Sequence, residues 1–144
     1  MFQFFISQAS KKHDRITKGL NNKGARINLV NAQIINDAIC SHFELPQIKV
    51  IFEQKDRICK SGACERILWF ICGIKKAAVR VCLGEANPHR RLIVLYPAGQ
   101  TIGTLIHEIA HICSPFSFHG RGWMEAFGYL VEWFNKNVRV KQQT

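Results

Sequence analysis

His107, Glu108 and His111 form an H-E-x-x-H pattern inside the segment Thr101-Ile-Gly-Thr-Leu-Ile-His-Glu-Ile-Ala-His-Ile-Cys113. Positions 107 and 111 are one helical turn apart, so on a helix both imidazoles leave the same face. Two ring nitrogens then reach one tetrahedral zinc about 2 Å away. Glu108 falls between them, where its carboxylate reaches water on the metal rather than the metal itself. Metal-assisted hydrolysis of a carbonyl needs that arrangement. A chain of this length and composition meets the five-residue pattern by chance roughly one time in a hundred, so the flanking residues decide the reading.

At about 100° per residue, Ile102, Leu105, Ile106, Ile109, Ile112 and Cys113 cover an arc of roughly 120°, and His107 and His111 fall on the other side beside Thr104. Such a helix buries an apolar stripe without using either histidine. A catalytic zinc takes three protein ligands and one open position. His119 is the expected third ligand: Pro115 ends the helix, a short loop follows, and Gly120 allows a tight turn before the next helix. Glu125 and Glu132 compete for that role but share a helix face with Tyr129 and read better as solvated surface. Arg121 and Tyr129 are the nearest candidates for an oxyanion partner, each more often a surface or packing residue. His13, His42 and His89 show no ligand spacing.

The elements that must position these residues follow from pattern. Residues 11–27 read as a polar, basic connector. A helix is expected over 29–43, with Val30, Ile34, Ile35, Ala38, Ile39 and Phe43 as its apolar positions. Ile48 to Phe52 reads as a strand, and Lys55 to Cys64 as a loop. Three β-rich runs follow, at 67–72, 78–83 and 92–96, separated by Gly73 to Lys76 and Gly84 to His89, so a meander is expected. Thr101 is the expected N-cap of the histidine helix, which runs to about Cys113. A last helix is expected from Gly120–Gly122 to Asn137, with Trp123, Ala126, Phe127, Leu130 and Phe134 on one side. The fold class is therefore α+β: one small, mostly antiparallel sheet packed with an N-terminal helix, the H-E-x-x-H helix and a C-terminal helix, a minimal zincin-like arrangement. All 144 residues read as one domain.

The chain carries 20 Lys and Arg against 10 Asp and Glu, a net charge of +10. Between Lys11 and Arg26 lie six basic residues and a single acid, Asp14, and Lys136, Arg139 and Lys141 follow the last acid, Glu132. Such runs are footprints of nucleic-acid or other polyanion binding, or of a solvated surface that serves solubility. No apolar run approaches the roughly 20 residues that span a bilayer. The apolar start, Met1-Phe-Gln-Phe-Phe-Ile6, is too short for an export signal and reads as an edge strand or docked terminus, so an intracellular location is expected. The six cysteines form no C-x2-C pair, and reduced thiols, mostly buried, are the expectation.

The stretch His107-Glu-Ile-Ala-His111 followed by His119-Gly-Arg-Gly-Trp123 resembles the SprT-like (Spartan-type) zinc metallopeptidases, which carry an H-E-x-x-H helix, a loop and an H-G-x-x-W/F segment opening the next helix. The likeness covers about residues 101–133. It implies Zn2+ held by His107, His111 and His119, Glu108 as general base, and Trp123 packing the returning helix onto the site. It also implies hydrolysis of proteins associated with DNA. The loop from His111 to His119 is shorter than is usual in that family, and no cysteine follows Cys113, so these residues hold no C-terminal zinc ribbon of the kind many members carry. Two other classes stay open: a nucleic-acid-binding module with a structural metal site, contacting nucleic acid through 11–26 and 136–141, and a toxin or inhibitor that acts by binding, for which Glu108→Gln would leave function intact.

Overall fold

A computed structural model describes residues 15–59, 80–117 and 119–139. Residues 15–19 are helical. Helix α1 spans Leu29–His42, and its N-cap Asn28 accepts from the Asn31 N–H at 2.8 Å. Strands β1 (Lys49–Phe52), β2 (Arg57–Cys59), β3 (Arg80–Cys82), β4 (Gly84–Asn87) and β5 (Leu92–Leu95) follow. A 3-10 turn at Pro97–Gly99 leads into α2 (Ile102–Cys113), and α3 (Arg121–Asn137) returns across it. The expected strand at 67–72, the start Met1–Ile6 and the cysteines Cys64 and Cys72 lie outside the described residues.

The fold is α+β and its strand pairing mostly antiparallel, as expected. A three-stranded sheet has the order β1-β5-β4, with β4 antiparallel to β5 and β1 parallel to it, while β2 and β3 form a separate antiparallel pair. The register sets Val50, Ile93 and Ala86 side by side, and Phe52, Leu95 and Gly84 in the next row. Ile93 and Leu95 are fully buried and join Leu105, Ile106 and Ile109 of α2 with Trp123, Phe127 and Phe134 of α3 in one core.

Three expectations need correction. Gly84 to Asn87 is a strand rather than a connector, so the meander is replaced by a central β5 flanked on both sides. Its small residues look like turn formers, yet they are what allows the strand to lie against α2. Within the expected loop at 55–64, residues 57–59 form β2 because β3 offers them an antiparallel partner. On α1 the buried positions are Ala32, Asn36, Ile39 and Cys40, whereas Val30, Ile34 and Ala38 are exposed. The helix is rotated because its amides are engaged with the sheet. The Gln33 Oε1 accepts from the Val50 N–H at 2.9 Å, and the Ile48 carbonyl accepts from Asn36 Nδ2 at 2.8 Å and Gln33 Nε2 at 3.0 Å. Side chains of α1 thus engage the Val50 N–H and the Ile48 carbonyl at the outer side of β1, so that the helix covers this edge.

The basic segment closes the start of α2. The first turn of a helix has N–H groups without intrahelical partners. Here the Ile102 N–H donates to the Ala25 carbonyl at 3.1 Å, the Gly103 N–H to the Lys23 carbonyl at 2.8 Å, and the Thr104 N–H to the Thr101 hydroxyl at 3.3 Å. Gly99 packs still more closely: a Cβ there would lie 1.9 Å from the Leu83 carbonyl oxygen, the same oxygen that accepts from the Tyr96 N–H at 3.0 Å. Gly99→Ala is expected to destabilise the protein by about 1–3 kcal/mol, because backbone must move to admit one methyl. Urea unfolding monitored by tryptophan fluorescence measures this, and a midpoint equal to that of the unaltered chain contradicts it.

Candidate metal centre

Helix α2 carries His107 and His111 on its less buried side, as the periodicity requires, and the loop after Pro115 brings His119 to them. The three Nε2 atoms lie 3.2 Å (107 to 111), 2.9 Å (111 to 119) and 3.0 Å (107 to 119) apart. Each pair alone could be a hydrogen bond, but three converging ring nitrogens cannot all be satisfied by one another. A cation at their centre resolves the conflict. Nitrogens about 2.0–2.1 Å from a tetrahedral zinc lie roughly 3.3 Å apart, so the observed triangle needs only a few tenths of an ångström of opening. Among the described residues no fourth His, Cys, Asp or Glu joins the group. The donor set fits a three-histidine site with an open position.

His119 occupies left-handed backbone, φ 65°, a conformation in which histidine is enriched but still uncommon. Ser117 holds the turn from both ends. Its carbonyl accepts from the Gly120 N–H at 2.6 Å, and its hydroxyl accepts from the Trp123 N–H at 2.9 Å, capping α3 where Gly120 has no side chain to do so. Beneath the three histidines lies Trp123, fully buried, with its ring centroid 4.8, 5.5 and 4.6 Å from those of His107, His111 and His119. Phe127 stacks on its other side at 4.8 Å. This is the packing position that the H-G-x-x-W segment implied for Trp123.

Glu108 is 7% exposed, and burial first, then the charge of Glu85, push its carboxyl up to about 7. Burial, then His119, pull the His111 imidazole down to about 4. Glu85 itself pairs with Arg57 and accepts from the Tyr96 hydroxyl at 3.1 Å. Glu108 opens into a cleft of about 620 Å³ walled by β4 on one side and by His107, His111, Pro115 and His119 on the other. Gly84 sets the wall's distance: a Cβ would stand 3.1 Å from the Glu108 Cγ and 3.0 Å from the Thr104 methyl. Sequence reasoning did not place β4 at the site. The alternation Gly84-x-Ala86, two small residues two apart, is the pattern that marks a strand able to approach a helix closely.

The structure does not bring the other candidates to the cleft. Arg121 pairs with Glu125 at 3.3 Å on the exposed side of α3, Glu132 pairs with Lys136, and Tyr129 is 64% exposed. None of them lines the cleft. His42 meets Phe43 edge-on and Trp133 at a tilt, and His89 is exposed. Cys40 and Cys82 are buried thiols, and burial pushes Cys113 up to about 11. No helix among the described residues is long and apolar enough to cross a membrane. Comparison with protein-family models, curated proteins and solved structures finds no match for this chain.

The two shifted groups predict opposite responses to pH once metal is removed by chelation. The Glu108 carboxyl titrates near 7 when folded against 4.5 ordinarily, so between those values the folded chain holds the extra proton and stability falls as pH rises. The His111 imidazole titrates near 4 when folded against 6.5, so there the unfolded chain holds the extra proton and stability rises with pH. In the unaltered chain the two nearly cancel from 4.5 to 6.5. Chelated Glu108→Gln is expected to gain stability as pH climbs through that window, and chelated His111→Ala to lose it up to pH 7. Urea midpoints at the two ends of the window read the slopes, and equal slopes in all three proteins refute the assignment.

Proposed function

We propose that this chain is a zinc-dependent metallopeptidase that hydrolyses peptide bonds, with SprT-like character in its His107–Trp123 segment. The observation that carries the proposal is a three-histidine triangle with a buried carboxylate, Glu108, on the same helix, facing a cleft walled by a strand edge. Zinc, when bound, supplies Lewis-acid polarisation of the scissile carbonyl and brings a water's pKa towards neutrality. His107, His111 and His119 would hold it, with Trp123 packed against all three rings. Glu108 takes a proton from the attacking water and returns it to the leaving amine, a role suited to a carboxylate that lies on the histidine helix and lines the cleft. β4 lines the cleft and among the described residues pairs only with β5, and an extended substrate adds to its outer edge as a further strand. The narrower form of the reading, action on DNA-associated proteins, draws on the basic segments.

The rival reading, a nucleic-acid-binding module whose metal is structural, has the basic segments in its favour. Closed structural sites use four protein ligands and need no base; the three ligands and the buried Glu108 here favour catalysis. The deciding experiment incubates the zinc-loaded chain with an unfolded, fluorescently labelled protein and follows cleavage. Release of fragments that stops on chelation and returns with zinc supports the peptidase. Full zinc occupancy with no cleavage of unfolded, nucleic-acid-bound or folded basic proteins overturns it in favour of the structural metal.

A further inference from the structure

Two basic runs at opposite ends of the chain meet in space. Asn135, near the end of α3, clamps the segment that follows the helical residues 15–19. Its Oδ1 accepts from the Asn21 N–H at 2.9 Å, and its Nδ2 donates to the Gly19 carbonyl at 2.8 Å. Leu20, 3% exposed, and Ile16 anchor the same segment in the core. With the apolar residues turned inward, Arg15, Lys18 and Lys23 are exposed on one side of the clamp, and Lys136 and Arg139 on the other. None of residues 15–28 is acidic, and Glu132 is the last acid of the chain. Lys136 pairs with Glu132 at 3.2 Å, while no ion pair engages Arg15, Lys18, Lys23 or Arg139 among the described residues.

We propose that these five side chains form one binding surface for the phosphate backbone of nucleic acid. The residues between the charges are Gly19, Asn21, Asn22, Gly24, Asn135 and Asn137, all but Asn135 exposed, which offer amide and backbone N–H donors of the kind that contact phosphate oxygens. A lipid surface would instead call for exposed large apolar residues beside the charges, and none of the exposed ones falls within 15–24 or 135–139. Among the described residues no base-reading element accompanies the patch, so its binding is expected to be indifferent to sequence. The surface also lies on the segment whose Lys23 and Ala25 carbonyls close the start of α2, the helix that carries His107 and His111. It rests on charges outside the histidine cluster, so it can fail while the peptidase reading stands, although the DNA-associated form of that reading draws on the same segments.

The test is fluorescence anisotropy of the full chain with a labelled DNA duplex of about 20 base pairs and arbitrary sequence, at about 50 and 200 mM salt. Four or five phosphate contacts predict a loss of affinity of about 150- to 500-fold across that range. Lys18→Gln with Lys23→Gln, and separately Lys136→Gln with Arg139→Gln, should each lower the logarithmic salt slope by about 2. These side chains are exposed, so thermal unfolding is expected to stay where it is in the unaltered chain. Absence of binding at the lower salt overturns the proposal. So does dependence on one run alone, or equal binding to phosphatidylserine vesicles. Zinc content read on the same samples reports the metal centre separately.

Discussion

His111→Ala is expected to purify without zinc, where the unaltered chain carries about one equivalent per molecule. The three Nε2 atoms form a nearly even triangle, 3.2, 2.9 and 3.0 Å on a side, so removing any one of them, here His111, leaves two donors where three are needed. Losing an outer hydrogen bond to a ligand costs roughly 10–100-fold in metal affinity, and losing the ligand itself must cost more. Stability reports the same event. A metal present at about 1,000 times its dissociation constant stabilises the folded state by about 4 kcal/mol, which for a chain of this size raises the melting temperature by about 8–16 °C. Added zinc should give that shift in the unaltered chain and nearly none in the variant. Elemental analysis and thermal melts with and without zinc check both, and equal zinc content in the two proteins would sink the three-histidine assignment.

Glu108→Gln should keep its zinc and lose its activity, by about 10²–10⁴-fold in kcat. The substitution is close to isosteric, and Gly84 leaves the side chain its space. Stability points the other way. Keeping a carboxylate in a site that raises its pKa from 4.5 to about 7 weakens the folded state above neutral pH, by up to about 3 kcal/mol in the metal-free protein. The glutamine variant is therefore expected to be the more stable protein and the worse catalyst, the trade expected of a group retained for chemistry. Rates of fragment release beside urea midpoints at pH 8 read both quantities. Undiminished hydrolysis in the glutamine variant removes Glu108 from the mechanism, and a less stable variant would mean that the carboxylate serves the fold.

The histidine centre was legible because its geometry is local. The spacing of His107 and His111 on a helix, the stop at Pro115 and the turn at Gly120 confine where His119 can go, and Thr101 and the aromatic face of the last helix gave nearly correct boundaries. What was illegible depends on partners distant in sequence. Gly84-Glu-Ala-Asn87 has the composition of a turn, and only pairing with β5 and the need for a thin wall against Glu108 make it a strand. The buried face of α1 was half legible. Of the six apolar positions Ile35, Ile39 and Phe43 pack in or against the core, while Val30, Ile34 and Ala38 are exposed because the hydrogen bonds of Gln33 to Val50 and of Asn36 to Ile48 set the position of the helix. The basic runs were visible singly, and their meeting at Asn135 was not.

The amides of Gln33 and Asn36 on β1 bear on how copies of this sheet could join. In the language of polymers, a three-stranded sheet with both edges open is a bifunctional monomer and can propagate without limit. With Ile48 and Val50 already engaged by α1, this sheet is monofunctional among the described residues. Two copies meeting through β4 terminate each other, and no third can be added in line.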